Sequence, residues 1–174
     1  MELKMDDLFP SSLPSSVQKE IEKIEKSDLL VGIASYNNSQ TIGSVIKAAN
    51  TALRESFSPA RSLIVVSEGG SCEETSASIE QARDPSVSIL LSPYPVDHSR
   101  MLTFPYHGIP DRRKALWTIL EIAERLQAKA CAIVDPRLQG MTPNGSNHSS
   151  RRSGKWNLIM YLQFTRVSNM KEPC

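Results

Sequence analysis

Apolar residues along the chain follow two alternating rhythms. Short unbroken runs occur at Leu29, Leu30, Val31 and Ile33, then at 62–66, at Val87, Ile89, Leu90 and Leu91, and at 130–134. Such runs, bounded by turn residues, mark strands buried on both faces. Between them the spacing becomes helical. Ile42, Val45, Ile46, Ala49 and Leu53 share one face, a second helix is predicted over about 73–83, and Ala115, Leu116, Ile119, Leu120, Ile122 and Ala123 line a third over 111–126. Ahead of the first strand, Val17, Ile21 and Ile24 give a thin apolar stripe over 13–26, with Pro14 suited to an early helical position. This helix is expected to pack on the domain edge.

The predicted order is β-α-β-α-β-loop-α-β. It implies an α/β fold in three layers, a mostly parallel sheet covered by helices on both faces, with right-handed crossovers. In such sheets ligands bind beyond the carboxyl ends of the strands. The polar clusters of this chain all follow strands: Tyr36-Asn37-Asn38, Glu68-Gly69-Gly70-Ser71 and Asp135. Topology alone therefore gathers three distant clusters on one rim. The stretch 92–110, with Pro93, Pro95, Pro105 and Pro110, is long for a structureless loop and reads as functional.

Charge divides the chain. Residues 1–143 carry 15 Lys and Arg against 18 Asp and Glu, whereas 144–174 carry five against one. The polar run 144–150 marks the border. Three segments follow: an N-terminal helical segment at 1–27, an α/β domain at 28–143, and a basic tail at 144–174 with one alternating, strand-like stretch at 156–165.

Composition narrows the classes. A chain of 174 residues with 40% apolar residues suits one domain. With 22% charged residues and a net charge of +1, it lacks the global field expected of a nucleic-acid binder. No apolar run approaches the ~18 residues of a membrane span. The acidic first ten residues lack the core of a secretory signal. Cys72, Cys131 and Cys174 are too scattered for a disulfide framework or a compact zinc motif, so a cytoplasmic location is expected. His98, His107 and His148 lack ligand spacing.

A rim of small polar residues suits a nucleotide. Gly69 and Gly70 permit close backbone approach, Glu68 can accept hydrogen bonds from a base or ribose, and Asp135 can hold a divalent metal on two phosphates. Arg112, Arg113 and Lys114 open the helix after the irregular loop and can neutralise phosphate charge. Each has a plainer reading: a turn at Gly69-Gly70, a helix cap at Glu68, a turn at Asp135, a solvated face at 112–114. Neither the dinucleotide glycine fingerprint nor a P-loop is present.

At these residues the chain resembles nucleotide-sugar glycosyltransferases of the GT-A fold, above all the glucosyl-3-phosphoglycerate and mannosylglycerate synthase type. The matching stretches are 31–38 with Thr41 and Ile42, 64–71 with Thr75, 108–115, and 132–137 with Thr142 and Pro143. They occur in the family's order across about 28–143. The resemblance implies a Rossmann-like nucleotide-binding half and transfer of a sugar from a nucleoside diphosphate-sugar. It implies that Ser35, Tyr36 and Asn37 line the nucleotide pocket, that Glu68 meets the base, that Gly69 belongs to the same nucleotide site, and that Gly108, Arg112, Arg113 and Lys114 lie near the diphosphate. It makes Asp135 the first residue of a D-x-D metal site for Mg²⁺ or Mn²⁺.

Two departures stand out. Ala34 replaces the usual proline after the first strand, and Arg137 replaces the second acid, which weakens or abolishes metal binding if it points into the site. The segment after Pro143 is also too short for the family's acceptor half. A truncated glycosyltransferase with an open, self-associating sheet edge is therefore expected. The competing expectations are a nucleotide-binding remnant without catalysis and an unrelated α/β domain that binds another phosphorylated ligand.

Overall fold

The structure, a computed structural model, describes residues 13–70, 73–96 and 111–137. Gly108 and the strand-like stretch at 156–165 lie outside the described residues. The described elements are α1 (Ser15–Ile24), β1 (Leu29–Ser35), α2 (Ile42–Phe57), β2 (Ser62–Glu68), α3 (Glu73–Gln81), β3 (Ser88–Pro93), α4 (Arg112–Arg125) and β4 (Ala130–Val134). Their order is the one the apolar rhythm predicts. The main differences are at β2 and β3, which each run two residues beyond the apolar stretch because Ser67 and Glu68 pair with Ser92 and Pro93; those two residues belong to β3 rather than to the loop expected over 92–110, of which 97–110 lie outside the described residues.

The four strands form one parallel sheet in the order β3-β2-β1-β4. Alternate strand residues face opposite layers. Leu30, Ala34, Leu63, Val65 and Leu90 pack with α1 and α4, while Val31, Ile33, Ile64, Val66 and Ile89 pack with α2 and α3. This is a Rossmann-like three-layer α/β fold. Val17 and Ile21 pack α1 into the α4-side core over β3, an edge strand of the sheet, in keeping with the expected place at the domain edge. Gly32 provides the closest sheet–helix contact: a Cβ there would lie 2.3 Å from Ile119 Cγ2 on α4.

Ionic contacts hold the amino edge of the sheet. The Asp28 carboxylate accepts from Lys129 Nζ at 2.9 Å and from the Arg61 backbone N–H at 3.1 Å, linking the starts of β1, β2 and β4. The Lys129 hydrogen bond, then that of the Arg61 backbone, holds this carboxyl below its ordinary value. Among the described residues the opposite, carboxyl edge carries no such clamp across β1 and β2, and there the chain gathers its polar residues.

Candidate functional site

The strand order reverses between β1 and β4. From β1 the chain proceeds outward through β2 and β3, then α4 returns it to the other side of β1. The loops leaving β1 and β4 must diverge at such a point, and the crevice between them is the usual ligand site of an open parallel sheet. An open cleft of about 360 Å³ lies there, lined by Asn37, Asn38, Ser39, Gln40, Thr41 and Arg137.

Local chemistry shapes the β1 side. Asn37 has a φ of 50°, a left-handed conformation that asparagine tolerates better than most residues. Asn38 Oδ1 accepts from the Tyr36 backbone N–H at 3.0 Å, closing the turn. The Asn38 carbonyl then accepts from the N–H groups of Thr41 and Ile42, at 3.0 and 2.9 Å, and starts α2. The five residues Asn37 to Thr41 thus bring uncharged amide and hydroxyl groups to the cleft, beside the positive end of the α2 dipole.

The β2 corner adjoins this turn. Ser35 and Glu68 are register partners, and the Gly69 N–H donates to the Ser35 carbonyl at 3.1 Å. Glu68 is buried, and its Oε2 accepts from the Gly70 N–H at 2.9 Å. The two glycines differ in role. Gly70 has a φ of 78° and open space where a side chain would be, whereas a Cβ on Gly69 would meet Tyr94 Oη at 2.6 Å and Val96 Cγ2 at 2.9 Å. Gly69 therefore makes room for a buried tyrosine, and Gly70 alone has both the left-handed turn and the open approach expected of the pair.

On the β4 side, Asp135 follows the strand directly. Val134 pairs with Ile33, so Asp135 sits at the level of the Ser35 end of β1, at the same edge as Glu68. Both its carboxylate oxygens are engaged. Oδ1 accepts from Arg137 Nε at 3.0 Å and from the Arg137 backbone N–H at 2.9 Å, and Oδ2 accepts from Arg137 Nη2 at 2.7 Å. The Arg137 side-chain bonds lower the Asp135 carboxyl below its ordinary value against the opposing effect of burial; the Arg137 backbone bond and the charges of Arg137 and Arg112 add to the lowering.

These contacts decide how a metal would fit. A divalent cation is held by carboxylate oxygens, and here both oxygens of Asp135 already accept hydrogen bonds from the Arg137 guanidinium. Among the described residues no group of three His, Cys, Asp or Glu comes together. The described residues, with Asp135 paired to Arg137, do not make a site for Mg²⁺ or Mn²⁺.

The basic residues at the start of α4 separate. Arg112 acts on Asp135 through its charge. Lys114 turns instead to Asp111 Oδ2 at 3.3 Å and the Pro95 carbonyl at 3.4 Å. Arg113 is exposed and is not part of the cleft lining. Cys131 is a core residue, its thiol pushed up to about 11 by burial.

The reading of the sequence missed three features of the rim. Ser39 and Gln40 line the cleft. Tyr94, just past β3, is buried over Gly69. Ser67 and Ser92, register partners at the ends of β2 and β3, are fully buried with unpartnered hydroxyls, as is Ser35. An unsatisfied buried polar group costs about 1–3 kcal/mol. A small polar residue closing an otherwise apolar strand was the available signal.

No family model matches the chain, and no curated protein matches it. Among solved structures it is similar to one described as a mycobacterial protein, at 23% identity and a TM-score of 0.40, over 67% of this chain and 33% of that one. The chain thus spans about a third of that structure's length.

Proposed function

We propose that the carboxyl rim binds a nucleoside diphosphate-sugar and that the chain is the donor-binding half of a glycosyltransferase. One observation carries this reading: the cleft at the β1/β4 reversal is built from two polar loops, with Glu68 at its β2 corner on the same edge of the sheet. The ordered resemblance of 28–143 to GT-A enzymes supplies the chemistry. The diphosphate takes the cleft, and the base lies toward Glu68 and Gly70. In transfer, the bond from the sugar's anomeric carbon to the diphosphate oxygen breaks and the diphosphate keeps the electron pair. An acceptor hydroxyl oxygen forms the new bond and loses its proton.

Thermal melts with UDP, GDP, UDP-glucose and GDP-mannose test the reading. A ligand at about 100 times its dissociation constant adds about 2.7 kcal/mol to stability, which is readily seen as a rise in Tm. At least one nucleotide is expected to give that rise. Glu68→Gln is expected to weaken nucleotide binding roughly tenfold, as befits the loss of a charge-assisted hydrogen bond. It should leave the response to inorganic pyrophosphate intact. If none of the four ligands raises Tm, the reading fails. If Glu68→Gln leaves the rise unchanged, Glu68 does not meet the base.

A further inference from the structure

We infer that the cleft is a metal-independent anion site in which the Arg137 guanidinium, oriented by Asp135, neutralises the diphosphate charge that a divalent cation would otherwise meet. The inference deepens the donor reading above and rests on it for the identity of the anion.

The lining of the cleft points to the sign of the ligand. Of its six described residues, five are uncharged hydrogen-bonding groups, and the sixth is a cation, Arg137. Among the described residues no carboxylate belongs to the lining. A cation entering here would meet a guanidinium and no anionic ligand, whereas an anion meets a guanidinium, amides and hydroxyls.

The Asp135–Arg137 pair explains how the guanidinium is held. Two parallel side-chain hydrogen bonds, at 3.0 and 2.7 Å, fix the guanidinium plane, and the Arg137 backbone N–H bonds the same carboxylate at 2.9 Å. A planar fork so anchored loses little freedom when it meets a phosphate, whose geometry it matches. Asp135 is in this view a positioning residue for Arg137, not a metal ligand. The pair by itself is neutral. Arg112, whose charge acts on Asp135, tips the local balance positive. To recruit a metal instead, Asp135 would have to surrender a bidentate ion pair and place a dication beside the released guanidinium.

The experiment measures binding of inorganic pyrophosphate, UDP and GDP by calorimetry, in EDTA and again with Mn²⁺. Wild-type protein is expected to bind pyrophosphate in EDTA with an affinity that Mn²⁺ leaves unchanged. Arg137→Ala should weaken it by at least about tenfold, as expected for the loss of hydrogen bonds to a charged group. Arg137→Asp, which removes the cation and adds a second carboxylate, should be silent in EDTA and regain binding with Mn²⁺. Asp135→Asn should weaken binding less than Arg137→Ala, since it loosens the guanidinium without removing it. Arg137 is exposed and Asp135 half-buried, and the melting curves of the three variants show whether the fold is kept.

The outcomes separate the two readings. Nucleotides that bind wild-type protein only with Mn²⁺ overturn this inference and leave the donor reading standing. Pyrophosphate that binds in EDTA through Arg137, with no nucleotide binding, supports the anion site and overturns the donor reading. No pyrophosphate binding in EDTA, or full binding by Arg137→Ala, overturns the inference.

Discussion

Replacing Gly32 with alanine is expected to destabilise the protein by about 3 kcal/mol, the upper end of ordinary overpacking, and to lower Tm on the order of 10 °C. Gly32 lies in the central strand, with β2 on one side and β4 on the other. A Cβ there would come within 2.3 Å of Ile119 Cγ2 and 3.1 Å of Ile133 Cδ1. Ile119 is fully buried between sheet and helix and has nowhere to retreat. The clash must move α4 as a body or strain a rotamer. Because the nearest atom is the β-branch methyl of Ile119, the double variant Gly32→Ala/Ile119→Leu removes that atom at constant volume. It should recover part of the loss, more than the two single effects would give if independent. Denaturant melts of the three variants check this. An unchanged Tm for Gly32→Ala would mean that α4 does not rest on β1 as described.

Ile42→Ala is expected to cost about 2–5 kcal/mol and to weaken nucleotide binding as well. Ile42 is the first residue of α2 and fully buried, in the cluster that holds Ile33, Val66 and Val134. Its backbone N–H donates to the Asn38 carbonyl at 2.9 Å, so it also anchors the turn that lines the cleft. Ile46→Ala provides the control. Ile46 is fully buried in the same cluster one turn further along, away from the cleft. Its loss should reduce stability by a similar amount and leave binding intact under conditions where both variants are folded. Equal nucleotide affinities for the two variants would show that the α2 turn does not form the site.

The layers of the fold were legible because parallel strands buried on both faces announce themselves as unbroken apolar runs. The runs at β1 and β4 and the helical stripe of α2 match their elements closely. Strand order was not legible, since no local pattern says that α4 carries the chain back past β1. The position of the cleft depends on that return. The polar end of β2 was read as loop because Ser67 and Glu68 have strand neighbours on both sides that no local window can see.

For the site, the set of rim loops was legible and the assignment of labour within it was not. Asp135 reads as a metal ligand by resemblance, and only coordinates reveal that the residue two positions on occupies both its oxygens. Gly69 reads as a nucleotide glycine until the Tyr94 ring is found where its side chain would be. Lys114 reads as a phosphate contact, but Asp111 and the Pro95 carbonyl hold it at the start of α4.

Backbone amide shifts measured by NMR during titration with UDP or GDP in EDTA most directly test whether three separate loops serve one ligand. The account predicts that amides of 36–41, 68–70, Asp135 and Arg137 shift together and saturate with a single dissociation constant. Shifts confined to one of these loops, or appearing instead at the amino edge around Asp28, Arg61 and Lys129, would contradict it.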